Sequence, residues 1–146
     1  MMTQQGAIVN TPPVNNGPML NLYIGGSRGR QSRSVANLIS LESHQNYTWL
    51  LWQNGERNLM PRTLKYMEAR LPAGQFVRLH RHCTINIDYI DRINRPAYYR
   101  MLVWLRTGEC IKVARRRIMP VRKQLQTHLI WRLHVMRGLS SAQQID

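Results

Sequence analysis

The stretch Phe76-Val-Arg-Leu-His-Arg-His-Cys-Thr-Ile-Asn86 decides how the chain folds. Its apolar residues Phe76, Val77, Leu79 and Ile85 favour a β-strand, yet Arg78, His80, Arg81 and His82 crowd its middle. Strand residues alternate between faces, so Leu79, Arg81, Cys83 and Ile85 fall with Val77, and Arg78, His80 and His82 fall opposite. Arg81 thereby lands on the apolar side. A bulge, a strand end or an exposed edge is expected there.

The surrounding chain has 146 residues, 43% of them hydrophobic, which suits one domain with tails and a core of its own. Apolar runs stop short of the roughly 18 residues of a membrane span. Met1 to Asn16 lacks the basic and apolar regions of a secretory signal. Cys83 and Cys110 have no metal or redox spacing and suit a reducing compartment, so a cytoplasmic address is expected. Charge is the strongest global signal: 21 Lys and Arg stand against 7 Asp and Glu, a net +14. Only Lys65, Lys112 and Lys123 are lysines; the other basic residues are arginines, whose planar fork matches phosphate oxygens and the guanine edge. From Arg92 to Arg137 the only acid is Glu109. That excess calls for a polyanion, of which nucleic acid is the commonest. An anionic membrane surface or an acidic protein would answer the same charge.

Taken in order, residues 1–18 are Gln-, Asn-, Thr-, Pro- and Gly-rich and are expected to be a flexible leader. Met19 to Ile24 alternates like a first strand, Gly25 to Ser34 suggests a loop or hairpin tip, and Val35 to Leu41 a second apolar segment. Glu42 to Thr48 is polar and leads into Trp49-Leu-Leu-Trp52; Asn54-Gly55 then signals a two-residue type I′ hairpin, closed by Met60 and Pro61. Thr63 can cap a helix to Leu71, with Leu64, Met67 and Leu71 as its apolar stripe and Glu68 facing solvent. After the central stretch, Ile87 to Ile93 gives a turn and strand, and Met101 to Leu105 a buried strand. Thr107-Gly108 turns into Cys110 to Ala114, which delivers Arg115, Arg116 and Arg117. Pro120 suits the first position of a terminal helix whose stripe is Val121, Leu125, Leu129 or Leu133, and Met136; Ser140 to Asp146 is a tail. Short, turn-punctuated strands with two helices make the fold mainly β and argue against a doubly wound parallel sheet.

The residues offer little for catalysis. Asp88 and Asp91, three apart in a turn, suit turn formation or ion pairing better than acid–base work. His80, His82 and Cys83 lack a second ligand pair and are flanked by Arg78 and Arg81, which would repel a dication, so no metal and no cofactor is expected. Cys83 has no acid-oriented histidine base, and Gly25-Gly26 lacks a phosphate-loop frame. Binding is better supplied. Arg78, His80, Arg81 and His82 form one basic patch, Arg115 to Arg117 a second, and the polar loop His44 to Thr48 a third. A helix-turn-helix pairing is absent, and an RNA-recognition sheet would want more aromatics than Phe76 beside the cluster. An oligonucleotide-binding barrel stays open on these grounds.

Five pieces, in order and spacing, resemble the LytTR-type DNA-binding domain, the β-rich output module of many bacterial response regulators. They are the polar loop and strand Glu42 to Trp52, the Asn54-Gly55 hairpin, the helix Leu64 to Pro72, the strand Phe76 to Asn86, and the hairpin end Val113-Ala-Arg-Arg116. The resemblance spans residues 20–127 and implies an elongated, multi-sheet β-sandwich over a domain of residues 19–127. Residues 128–146 would be the rest of the helix and the tail. It implies a non-enzymatic transcriptional regulator whose loops enter successive major grooves of duplex DNA, as two copies on repeated sites. Contacts would come from Asn46, Tyr47 and Thr48, from His80, Arg81 and His82, and from Arg115 and Arg116; Arg78 and Arg117 join them as parts of the same patches. Asn86 matches a structural position. His82 and Ala114 stand where the family usually has Ser, and Cys83 replaces a common aromatic, which bears on sequence preference. No receiver domain is expected before residue 20, so the domain would act alone, with a homodimer or a regulatory protein partner left open. Two rival readings are a module acting through protein contacts and a binder of single-stranded nucleic acid.

Overall fold

The computed structural model describes residues 21–24, 29 and 31–136. The leader expected over residues 1–18 and the tail from Ser140 lie outside them.

The described chain is mostly strands, all antiparallel. A hairpin of β1 (Asn21–Ile24) and β2 (Gln31–Ser34) comes first. Strands β3 (Leu38–His44), β4 (Tyr47–Trp52), β5 (Arg57–Met60), β6 (Phe76–His80) and β7 (Cys83–Asn86) make a five-stranded sheet in the order β5-β4-β3-β7-β6. Strands β8 (Ile90–Ala97), β9 (Arg100–Leu105) and β10 (Cys110–Lys112) make a three-stranded sheet with β9 central. The short helix α1 (Leu64–Glu68) and the long helix α2 (Ile118–Met136) complete the fold. This is the mainly β, multi-sheet architecture with two helices that the sequence implied.

Two apolar clusters lie on opposite faces of the five-stranded sheet. Leu38, Leu41, Leu50 and Trp52 pack with Leu64, Met67 and Leu71 from α1 and its exit, and with Leu22 and Ile24 of β1. Val77, Leu79, Cys83 and Ile85 pack with Met101, Val103 and Leu105 of β9 and with Ile118, Val121 and Leu125 of α2. The central stretch is therefore held between two layers, and this fixes where its turn emerges.

Several boundaries differ from expectation. Phe76 to Asn86 is not one strand but a hairpin, turning at Arg81 and His82, with a register shift between Arg78 and His80. The broken alternation at Arg81 marks that strand end. Gln31 to Ser34, expected in a loop, pairs with β1; its polar side chains carry no strand signal, and only Arg33 turns inward, its guanidinium 4.3 Å from the centroid of Trp52. The polar run Glu42 to Thr48 is mostly strand, with a turn of just Gln45 and Asn46. Asn54-Gly55 does close a hairpin, but not a type I′ one. Trp52 N–H donates to Glu56 O and Gly55 N–H to Trp52 O, both at 2.9 Å, with Gly55 at φ +90° and no positive φ at Asn54. That is the three-residue loop with a left-handed glycine. Leu105, Gly108 and Glu109 repeat it, with Gly108 at φ +96°.

Helix α1 ends at Glu68 rather than Leu71, although Thr63 Oγ1 caps it by accepting from Tyr66 N–H at 3.1 Å and the stripe Leu64, Met67 and Leu71 is buried. Helix α2 starts at Ile118, two residues before Pro120, after a 3-10 turn over Arg115–Arg117. Proline is tolerated there because first-turn N–H groups lack helical partners anyway. Val121 and Leu125 are buried as expected; the side chains of Leu129, Leu133 and Met136 lie outside the described set.

Candidate nucleic-acid interface

The Arg81–His82 turn is the centre of the site. Both residues are exposed, while the flanking Leu79 and Cys83 are buried. Arg78, grouped with them in the sequence, does something else. Its Nε donates to His80 O and its Nη2 to Arg81 O, both at 2.9 Å, and its Nη1 pairs with Glu68 Oε1 at 2.9 Å. Both side chains of that ion pair are about three-quarters buried. Arg78 is thus a brace that holds the turn's carbonyls inward. Glu68, expected on a solvated outer face, is its counter-ion and also accepts from Thr84 Oγ1. A partner ten residues away in sequence, on a different element, leaves no local pattern to find.

Hydrogen bonds within the turn add stiffness. His82 N–H donates to His80 Nδ1 at 3.2 Å, and Arg81 Nε donates to His82 Nε2 at 3.2 Å. The His80 pKa is held below its ordinary value of 6.5, chiefly by burial and then by His82 and Arg78. A neutral ring is what accepting from His82 N–H requires.

Both other candidate segments are tied to this turn. Ser43 N–H donates to His82 O at 2.9 Å, and Ser43 Oγ lies 2.8 Å from His82 Nδ1, which fixes the end of β3 and hence the Gln45–Asn46 turn. Ala114 N–H donates to Leu79 O at 2.9 Å, which sets the Arg115–Arg117 turn beside β6. Arg115 and Arg116 are exposed and Arg117 is half-buried. Asn46 and Tyr47 are exposed too, whereas Thr48 is wholly buried and donates its hydroxyl to Arg62 O at 2.8 Å. Thr48 faces inward because it follows Tyr47 on a strand, not in the loop the polar composition suggested. Gln45 has φ +58°, and no other non-glycine residue described has a positive φ. Such strain, of order 1–3 kcal/mol, concentrates at functional turns.

Electrostatics within the site are mixed. Glu42, His80, His82, Cys83, Glu109 and Lys112 line a cleft of about 360 Å³ under the Arg81–His82 turn. Burial, then the charge of Glu42, pushes the Glu109 pKa up. Burial likewise pushes the Cys83 thiol up to about 12, with Glu42 and Glu109 adding to it, so the sulfur is a core atom and not a nucleophile. Asn86, wholly buried, donates from Nδ2 to Leu38 O at 2.9 Å and accepts at Oδ1 from Gln75 Nε2 at 2.7 Å and Asp88 N–H at 2.9 Å. It is structural. Among the described residues, no group of three or more His, Cys, Asp or Glu is arranged to hold a metal. None of the described helices is long and apolar enough to cross a membrane.

No curated protein sequence matches the chain. Among solved structures, a LytTr DNA-binding domain from Bacillus cereus superposes with a TM-score of 0.64 at 20% identity, over 76% of this chain and 98% of that one. At that identity the likeness speaks for the fold. The profile of the LytTr DNA-binding domain matches residues 33–126, well over half of the sequence and all three linked segments. The chain belongs to the LytTR DNA-binding domain family.

Proposed function

We propose that the domain binds duplex DNA sequence-specifically as a bacterial transcriptional regulator, with its three linked turns contacting successive major grooves. One observation carries the reading most: Leu79 O and Ser43, through their bonds to Ala114 and His82, draw three polar or basic segments from distant parts of the chain together. Exposed arginines on short braced turns suit bidentate contacts to guanine, and the net +14 supplies the long-range attraction to phosphates. The contact set is Asn46 and Tyr47, His80, Arg81 and His82, and Arg115, Arg116 and Arg117. Thr48 and Arg78 act from behind it, Thr48 by anchoring β4 and Arg78 by holding the central turn. Two copies on repeated sites, in the cytoplasm, complete the proposal.

A mobility shift with promoter duplexes across a salt series tests it. Arg81→Ala and Arg116→Ala should each weaken binding to a preferred duplex more than to its scrambled version. Equal losses on both would mean that these arginines meet only phosphates. No preference among duplexes would favour a protein-contact module, and preference for unpaired strands would favour a single-strand binder.

A further inference from the structure

Arg95-Pro-Ala-Tyr-Tyr-Arg100 carries the chain from β8 into β9 and holds two tyrosines out in solvent, Tyr98 79% and Tyr99 49% exposed. Core packing does not account for them. They are nevertheless placed rather than loose. Arg95 Nη2 donates to Tyr98 O at 2.7 Å, and the two rings meet edge to face with centroids 5.7 Å apart. The Arg115 guanidinium lies 5.7 Å from the centroid of Tyr99, so this hairpin tip touches a segment of the interface. Between them runs a groove of about 420 Å³, lined by Tyr99, Arg100, Lys112, Val113, Ala114 and Arg115. Three cations and no carboxylate line it. Lys112 also borders the cleft beneath the Arg81–His82 turn, so the two depressions share a cation.

A strip of cations flanked by flat aromatic rings matches a sugar–phosphate backbone: the cations take phosphate oxygens, and the rings lie against deoxyribose. The shared Lys112 and the Tyr99–Arg115 contact put the groove beside the candidate interface, which favours a polymer over a free anion. We propose that this groove is a fourth contact, gripping the DNA backbone beside the bases met by the Arg81 and Arg116 segments, with Arg100 and Lys112 on phosphates and Tyr98 and Tyr99 on sugars. It adds affinity without sequence information and sets the orientation of the domain on the duplex. The proposal rests on the duplex-binding reading above.

The test uses the full chain, a long duplex carrying the sequence the wild type selects from a random pool, its scrambled version, and the selected duplex trimmed to its motif. Arg100→Ala and Lys112→Ala should each lower the slope of log affinity against log salt by about 1, as loss of one phosphate contact does. Tyr98→Ala, at the outermost ring, should weaken binding several-fold. All three losses should be alike on selected and scrambled duplexes and should shrink on the trimmed one. Unchanged slopes together with a neutral Tyr98→Ala, or a loss confined to the selected sequence, would overturn this contact and leave duplex binding standing. A wild type that binds no duplex at all would overturn the underlying reading, and this inference with it.

Discussion

Two arginines three positions apart, Arg78 and Arg81, look alike in the sequence and differ in role. Arg78 spends its guanidinium on Glu68 and on two backbone carbonyls, whereas Arg81 is exposed. Arg78→Met should therefore cost stability, about 1–3 kcal/mol for leaving a largely buried carboxylate and two carbonyls short of a donor, read as a drop of several degrees in melting temperature. Arg81→Ala should leave the melting temperature nearly unchanged and remove about 1–3 kcal/mol of discrimination between preferred and scrambled duplexes. His80 predicts a pH dependence. Burial first, then His82 and Arg78, lower its pKa below 6.5, so the native fold resists a proton that the unfolded chain accepts. Above 6.5 the ring is neutral in both states and its contribution is complete. As pH falls below 6.5 the unfolded state gains the proton first and stability declines, until the native ring titrates as well. Thermal melts of the wild type should show this decline more strongly than those of His80→Gln.

At the scale of elements, the backbone bond from Ala114 to Leu79 holds the Arg115–Arg117 turn against the central hairpin. Ala114 has φ −61°, a value proline adopts without strain. Ala114→Pro should thus keep the local conformation, remove the donor and push Leu79 O away. Stability should fall by about 1 kcal/mol, the worth of a typical hydrogen bond, while selective binding falls further because two contact segments lose their spacing. Equal selectivity in mutant and wild type, measured by competition between preferred and scrambled duplexes, would contradict that coupling. This level is also where sequence reading is weakest. The stripe Leu64, Met67 and Leu71 and the glycine turns at Gly55 and Gly108 were legible because propensity and periodicity act locally. Arg81's position on the wrong face was legible as an interruption, though only the folded chain identifies it as a hairpin turn. Thr48 reads as part of a loop because the run is polar, and its inward face depends on where the turn ends. Glu68 with Arg78, Ser43 with His82, and Tyr99 with Arg115 join different elements, so no spacing along the chain announces them.

Over the whole molecule, the buried support and the exposed turns are separate. Two apolar clusters clamp the five-stranded sheet, and hydrogen bonds from Ser43 and Ala114 tie the other two turns to the central hairpin. The acidic side chains there are Glu68, paired with Arg78, and Glu42 and Glu109, which border the cleft with His80 and Lys112, while Arg81, Arg115 and Arg116 are exposed. On the proposed function, these turns together read the sequence of duplex DNA. Selection of bound duplexes from a random pool, run in parallel with wild type and Arg81→Ala, tests it most directly. A single enriched motif is expected for the wild type, present as two spaced copies in the tightest binders, with loss of definition at one or more motif positions for Arg81→Ala. A wild-type pool that stays random through successive rounds, or a motif unchanged by Arg81→Ala, would contradict it.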